Sequence, residues 1–262
     1  MRSPAVIVGR VSGASSHPGV EDVAAGMQNF RDLGGIPVST GGRIRAGVLY
    51  RSDAPRAGDA APPTVWPPAN VVDLRSAEEV GGTHPLAQEA SAVYTIALLE
   101  EASIVRVAGR PRTEEASLED LYRRAIRGIG PRVADIARIV IESDGPTLVH
   151  CTVGKDRTGL VVAAILSAVG VDDTEVVADY TVTETNMPAV LARLAAGDGL
   201  DAGAALVERL ARDHPEVLAA PPVAIAAALE ALDAYGGAAR WLLAHGLDQD
   251  GVRRLRERLV EA

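Results

Sequence analysis

The fold of this chain is decided by the stretch Thr147-Leu148-Val149-His150-Cys151-Thr152-Val153-Gly154-Lys155-Asp156-Arg157-Thr158-Gly159. Thr147 to His150 is a short strand-like run, separated from what precedes it by the turn residues Asp144-Gly145-Pro146. Leu160 to Val169 is apolar on nearly every side and is closed by Gly170, which predicts a buried helix. The loop between strand and helix exposes successive backbone N–H groups at a helix N-terminus, and such a loop binds anions. A Cys there is favoured as thiolate by the dipole end and by nearby cations. Arg157, six residues after Cys151, can curl back and offer a two-pronged fork to phosphate oxygens. Gly154 lets the backbone bend inward, and Thr158 can donate its hydroxyl to the thiolate. A thiolate, a ring of N–H donors and an Arg fork are what phosphoryl transfer through a cysteine requires. A lone Cys is ordinarily a small buried hydrophobe; the coincidence of several requirements outweighs that here. A Walker phosphate loop is excluded, because Val149 stands where its first Gly belongs and Asp156 follows Lys155.

Working outward, Ile36 to Thr40 and Val48 to Arg51 predict short strands around Gly41 and Gly42. Asn70 to Leu74 and Val93 to Leu98 predict two more. Arg56 to Pro68 is loop, rich in Ala, Pro and Gly. Leu118, Leu121, Tyr122 and Ala125 have helical spacing behind the cap Ser117, and Pro131 restarts a helix with Val133, Ile136, Ala137 and Val140 on one face. Beyond Asp172 the pattern is helical, with stripes at Met187, Val190, Leu191 and Leu194 and at Leu206, Val207 and Leu210. Segments around Trp241 and from the cap Asp248 to Leu259 complete it. The expectation is an α/β layer structure with a helical C-terminal half. Residues 1–26 predict a loosely ordered lead-in and residues 27–262 one domain.

Composition narrows the function classes. In 262 residues there is one Cys and one Lys, so an internal disulfide framework and a Cys-based zinc cage are excluded. The five His show no metal-ligand spacing, and three of them precede Pro, which is turn chemistry. No metal and no cofactor is expected. The net charge of -9 argues against broad nucleic-acid binding. No apolar run reaches the roughly 18 residues of a membrane span, and the N-terminus lacks a secretory core, so a soluble, cytoplasmic protein is expected. Oligomeric state is not readable.

The loop resembles the signature of the protein-tyrosine phosphatase superfamily, Cys, five residues, then Arg. Its GKDRTG ending is similar to bacterial tyrosine and dual-specificity phosphatases of the mycobacterial type. Asn29-Phe30-Arg31-Asp32-Leu33-Gly34-Gly35, Gly47 to Ser52, Val72-Asp73-Leu74-Arg75-Ser76, Asp179-Tyr180 and Tyr235-Gly236-Gly237 extend the likeness. The resemblance implies a phosphatase fold, a central, mainly parallel sheet flanked by helices. It also implies that helices around Met187 and Leu206 can cover the site, with Gly197-Asp198-Gly199 as a hinge candidate. By the same resemblance Cys151 attacks phosphorus, Arg157 holds the equatorial oxygens, Thr158 assists loss of the thiolate, and Thr152, Val153, Gly154 and Lys155 line the substrate. His150 either orients and tunes the thiolate or is a satisfied buried His.

The general acid has two candidates. Asp73 ends a strand on the edge that carries the loop, and its alternative is a structural pair with Arg75 or Arg51. Asp156 lies in the loop itself, is slightly favoured, and ought to be paired with a cation or held protonated. Lys155 is either a solvated lysine or a second positive charge for a polyphosphorylated headgroup, which brings phosphoinositides in beside phosphorylated protein. Arg106, Arg110, Arg112, Arg123, Arg124 and Arg127 form a basic stretch, either solvated or recruiting an anionic surface. Asn29, Arg31 and Asp32 read as structural. Two other functions compete: a phosphate-binding module without turnover, and sulfur transfer or arsenate reduction, which lacks a resolving Cys.

Overall fold

The computed structural model describes residues 26–90, 92–99, 117–196 and 218–262, together with 205, 207, 208 and 212. A five-stranded sheet runs in the order β1 (Arg31–Asp32), β3 (Leu49–Ser52), β6 (Thr147–His150), β4 (Asn70–Asp73), β5 (Ala92–Thr95). Only β1 is antiparallel to its neighbour. Two short strands, β2 (Arg43–Ile44) and β7 (Val260–Glu261), pair separately. Six helices are present among the described residues: α1 (Leu118–Glu142), α2 (Asp156–Ala168), α3 (Asp173–Ala195), α4 (Pro222–Asp233), α5 (Ala238–Ala244) and α6 (Gln249–Leu259). This is the expected α/β class, with a mainly parallel sheet flanked by helices.

Strand alternation sorts the core into two faces. Leu49, Val72 and Val149 meet the helices in the main hydrophobic cluster. Tyr50, Val71 and Leu148 point the other way and are covered by Phe30, Trp66 and Leu86. Phe30 meets Tyr50 and Trp66 edge-on, at centroid distances of 5.4 and 6.0 Å. The central strands are thus buried on both faces, as their β-branched runs require. α2, under this sheet edge, is buried almost throughout, including the charged Arg157.

Ser117 caps α1 by accepting from the Asp120 N–H at 3.2 Å, and Asp248 caps α6 by accepting from the Gly251 N–H at 2.7 Å. Two expectations are corrected. Ile36–Thr40 is not a strand: Pro37 has no N–H to donate, and Val38 and Gly42 close a tight turn on themselves, leaving one isolated bridge to Arg43. Pro131 does not restart a helix but lies inside the single helix α1. Gly130 just before it lets the helix pack closely on His245, whose ring a Cβ there would meet at 2.3 Å.

Candidate functional site

The register sets the stage. His150 of β6 pairs with Ser52 of β3 on one side and Asp73 of β4 on the other, at the C-terminal ends of three parallel strands. The residues that follow each strand therefore leave from one edge, where open α/β sheets place their ligands. Cys151 emerges there, nearly fully buried, and α2 starts five residues later.

The loop between them is held from behind by its carbonyls. The carbonyl of Cys151 faces Nδ1 of His150 at 3.2 Å. The next three accept from the Ala54 N–H (to Thr152, 3.1 Å), Asn29 Nδ2 (to Val153, 3.0 Å) and Arg51 Nη2 (to Gly154, 2.8 Å). In a trans peptide the N–H points opposite to the carbonyl. The amides of Thr152, Val153, Gly154 and Lys155 are therefore turned the other way, toward the concave side of the loop, which makes an anion nest. Gly154 has φ +74°, and a Cβ on it would lie 2.5 Å from the Ser52 carbonyl oxygen. No other residue fits that bend.

The rear anchors are themselves tied down. Arg51 pairs with Asp179, and Asp179 also takes Arg31 Nε at 2.6 Å. Burial works to raise the Asp179 carboxyl, but the two guanidinium groups hold it below its ordinary value. Arg31 in turn donates to the Asn29 side-chain oxygen at 2.7 Å. Asn29, Arg31 and Arg51 thus form one support for the loop. Asp32, by contrast, accepts from the Gly34 and Gly47 N–H groups at 2.8 and 2.7 Å and pins the turn between β1 and β3.

On the front side, Glu79 takes Arg157 Nη1 and Nη2 at 2.7 and 2.8 Å and accepts from the Thr152 hydroxyl at 2.8 Å. Burial works to raise the Glu79 carboxyl; hydrogen bonding and charge from Arg157 overcome it and bring it down to about 2. Arg157 is thereby fixed by its end, and its Nε edge stays clear of this pairing for an anion. The Thr158 hydroxyl is buried with no hydrogen-bond partner among the described residues.

Asp156 opens α2. One of its oxygens accepts from the Tyr122 hydroxyl at 2.7 Å and lies 3.5 Å from Lys155 Nζ. Tyr122 and Tyr180 hydroxyls are 2.9 Å apart. Burial, then the neighbouring Asp156 charge, push the Tyr122 hydroxyl well above its ordinary value, so it stays a donor. Lys155 is not solvated: it is fully buried and donates to the Ala219 carbonyl at 2.9 Å. Leu218 packs on the cluster of Val153, Met187 and Val190, so the segment before α4 lies against the loop.

Asp73 is closed off. Both its oxygens are taken by Arg75, at 2.7 to 3.1 Å, and Oδ1 also accepts the Arg75 backbone N–H at 3.0 Å. Despite burial, these bonds hold its carboxyl below the ordinary value. His150 Nε2 lies 3.8 Å from Asp73 and 3.0 Å from His84 Nε2. Burial, against the pull of Asp73, lowers His150 to about 4. Asp73, His84 and His150 bring ligand-type atoms within 4.8 Å of one another, a grouping that their sequence spacing hid. With Asp73 saturated by Arg75 and the imidazoles bonded to each other, the cluster is a hydrogen-bond network.

Residues 23–261 match the tyrosine phosphatase family. The chain belongs to that family. A putative tyrosine-protein phosphatase of Cupriavidus necator is 31% identical over 66% of this chain and 67% of its own. The triple specificity protein phosphatase PtpB of Mycobacterium tuberculosis is 29% identical over 88% of this chain and 96% of its own. A tyrosine-protein phosphatase of Nostoc commune is 32% identical over 48% of this chain and 42% of its own.

In this tyrosine phosphatase the loop residues expected from the sequence, His150 to Thr158, do converge on one edge. Asp73 reaches the same edge but faces Arg75. Arg106, Arg110, Arg112, Leu206, Leu210 and the Gly197–Gly199 hinge lie outside the described residues. Arg123 pairs with Asp120 and Glu230 at 3.5 and 3.0 Å. No helix among the described residues is long and apolar enough to cross a membrane. Sequence reasoning missed Glu79 and His84. Ser76-Ala77-Glu78-Glu79 is a capping-box pattern, and Glu79 does accept the Ser76 N–H at 3.0 Å; that signal could have found it. His84 carried no signal beyond its Pro neighbour.

Proposed function

We propose that this phosphatase hydrolyses phosphotyrosine by a cysteinyl-phosphate mechanism. The observation that carries it is the loop whose four successive carbonyls are held from behind, so that its amides ring the position above Cys151. Cys151 Sγ attacks phosphorus and the P–O bond to the leaving group breaks. Amides 152–155 and the Nε edge of Arg157 hold the equatorial oxygens. Asp156 protonates the leaving oxygen. Water then attacks phosphorus, Asp156 takes its proton, and the S–P bond breaks with the Thr158 hydroxyl donating to the departing thiolate. Asp156 suits this better than Asp73, whose two oxygens are already filled. His150 is neutral and serves to orient the loop.

Phosphoserine and phosphothreonine extend this reading, in keeping with the triple specificity in the mycobacterial relative's name, and phosphoinositides extend it through the cation of Lys155 in the loop. Lys155 must leave the Ala219 carbonyl to meet a second phosphate. Comparing phosphate release from phosphoinositides and from a phosphotyrosine peptide by wild type and Lys155→Ala tests that. The lipid rate is expected to fall more than the peptide rate, and an unchanged ratio removes the lipid assignment.

The primary test is p-nitrophenyl phosphate turnover by wild type and Cys151→Ser. Turnover by wild type alone is expected, with phosphate binding retained in the variant. Binding without turnover in the wild type would instead make the chain a phosphate-recognition module.

A further inference from the structure

We propose that His84 is a positioning residue of the active-site loop: it fixes the tautomer of His150 and through it the peptide plane between Cys151 and Thr152. The inference rests on the phosphatase reading for its consequence, but not for its geometry.

The hydrogen-bond chain has backbone groups at both ends, and they give it one polarity. The Leu86 N–H can only donate, and it donates to His84 Nδ1 at 3.1 Å. A neutral His84 therefore carries its proton on Nε2. That atom lies 3.0 Å from His150 Nε2, which must accept. His150 then carries its proton on Nδ1, and Nδ1 faces the Cys151 carbonyl, which can only accept, at 3.2 Å. Only one placement of two protons satisfies all three bonds. A third proton would set two N–H groups against each other.

Asp73 offers the opposite arrangement. Asp73 Oδ2 is 3.8 Å from His150 Nε2 and would draw a proton to that atom. His150 would then turn a bare Nδ1 lone pair toward the Cys151 carbonyl and repel it. Two features oppose this. Arg75 occupies both Asp73 oxygens, and His84 supplies Nε2 of His150 with a donor. Removing His84 leaves Asp73 as the nearest polar partner of that nitrogen. The Cys151–Thr152 peptide would lose its anchor, and the Thr152 N–H would lose its aim into the nest. Loss of one fixed N–H donor at a site of developing charge costs about 10²-fold or more when complete.

The test combines one spectroscopic and one kinetic readout. Long-range 1H–15N correlation at neutral pH is recorded on Cys151→Ser, with His84 signals assigned by their loss in His84→Leu. Expected are a proton on Nε2 of His84 and on Nδ1 of His150; a bare Nδ1 on His150 overturns the proposal. In His84→Leu the His150 proton is expected to move to Nε2 and kcat/KM for p-nitrophenyl phosphate to fall about tenfold or more. In His84→Gln, whose side-chain amide can supply the same N–H, the His150 tautomer should persist and kcat/KM should recover most of that loss. A drop in His84→Leu with His150 still protonated on Nδ1, or no rescue by Gln despite an equal melting temperature, makes His84 merely structural. If the wild type turns over no phosphate ester, the phosphatase reading fails, while the tautomers still decide the role of His84.

Discussion

The end of β4 and the start of α2 each present an aspartate at the same sheet edge, and they are prepared in opposite ways. Asp73 follows its strand into a bidentate bond with Arg75, and a second turn of partners, His150 and His84, closes around it. Asp156 opens a helix, is partly exposed, and its only neutral hydrogen-bond donor among the described residues is the Tyr122 hydroxyl on one oxygen. A carboxylate saturated by a guanidinium is a support. A carboxylate with one oxygen held and the other unassigned can receive and return a proton. Position at the edge is shared; occupancy of the lone pairs separates the two.

Removing each acid in turn separates their roles. Asp156→Asn is expected to lower kcat about 10²-fold or more for aryl phosphates with poor leaving groups, and much less for good ones. Asp73→Asn should leave the dependence of kcat on leaving-group pKa unchanged. A steeper dependence in Asp73→Asn, with none in Asp156→Asn, would exchange their roles.

The β4 side should also show itself in stability against pH. His150 is held at about 4 in the folded protein, below its ordinary value of 6.5, so the unfolded chain binds more protons between those values. Stability is full above pH 6.5 and falls as pH drops toward 4, by an amount on the order of 3 kcal/mol. Glu79, held at about 2 by Arg157, extends the loss from about pH 4.5 toward 2. Urea unfolding at stepped pH reads this. A flat profile from pH 7 to 4 would mean that His150 takes up its proton in the fold near its ordinary value.

Asp73→Asn should further cost about 2 kcal/mol in the same assay, because it leaves the mostly buried Arg75 without its counter-charge. Asp156→Asn, at a partly exposed helix start where the amide oxygen can still accept from Tyr122, should cost about 1 kcal/mol or less. The smallest effect is expected for Tyr122→Phe. Asp156 loses one positioning bond, and kcat should fall only a few-fold, with no change for substrates whose leaving group needs no proton.

The loop and its flanking elements were legible because their signals are local. A strand run, a Gly at the bend, Cys and Arg six apart and an apolar helix all lie within Thr147 to Gly170. The α/β layering followed from the same alternation of strand and helix. What stayed hidden was supplied from a distance. Asn29 and Arg51 act on backbone carbonyls over 100 residues away, and no periodicity marks a side chain for that work. Pro131 misled because Pro ordinarily ends a helix, and only the assembled packing of α1 overrides that rule. Asp156 could be favoured over Asp73 only slightly, because a sequence shows which carboxylates reach an edge but not what their oxygens meet there.

The loop carbonyls are gripped by residues 29, 51, 54 and 150, drawn from widely separated parts of the chain. The nest therefore exists only where these long-range contacts are made, whereas the thiol needs none of them. Inorganic phosphate, binding only the finished nest, should act as a ligand that selects correctly threaded chains, stabilising them in proportion to the logarithm of its concentration.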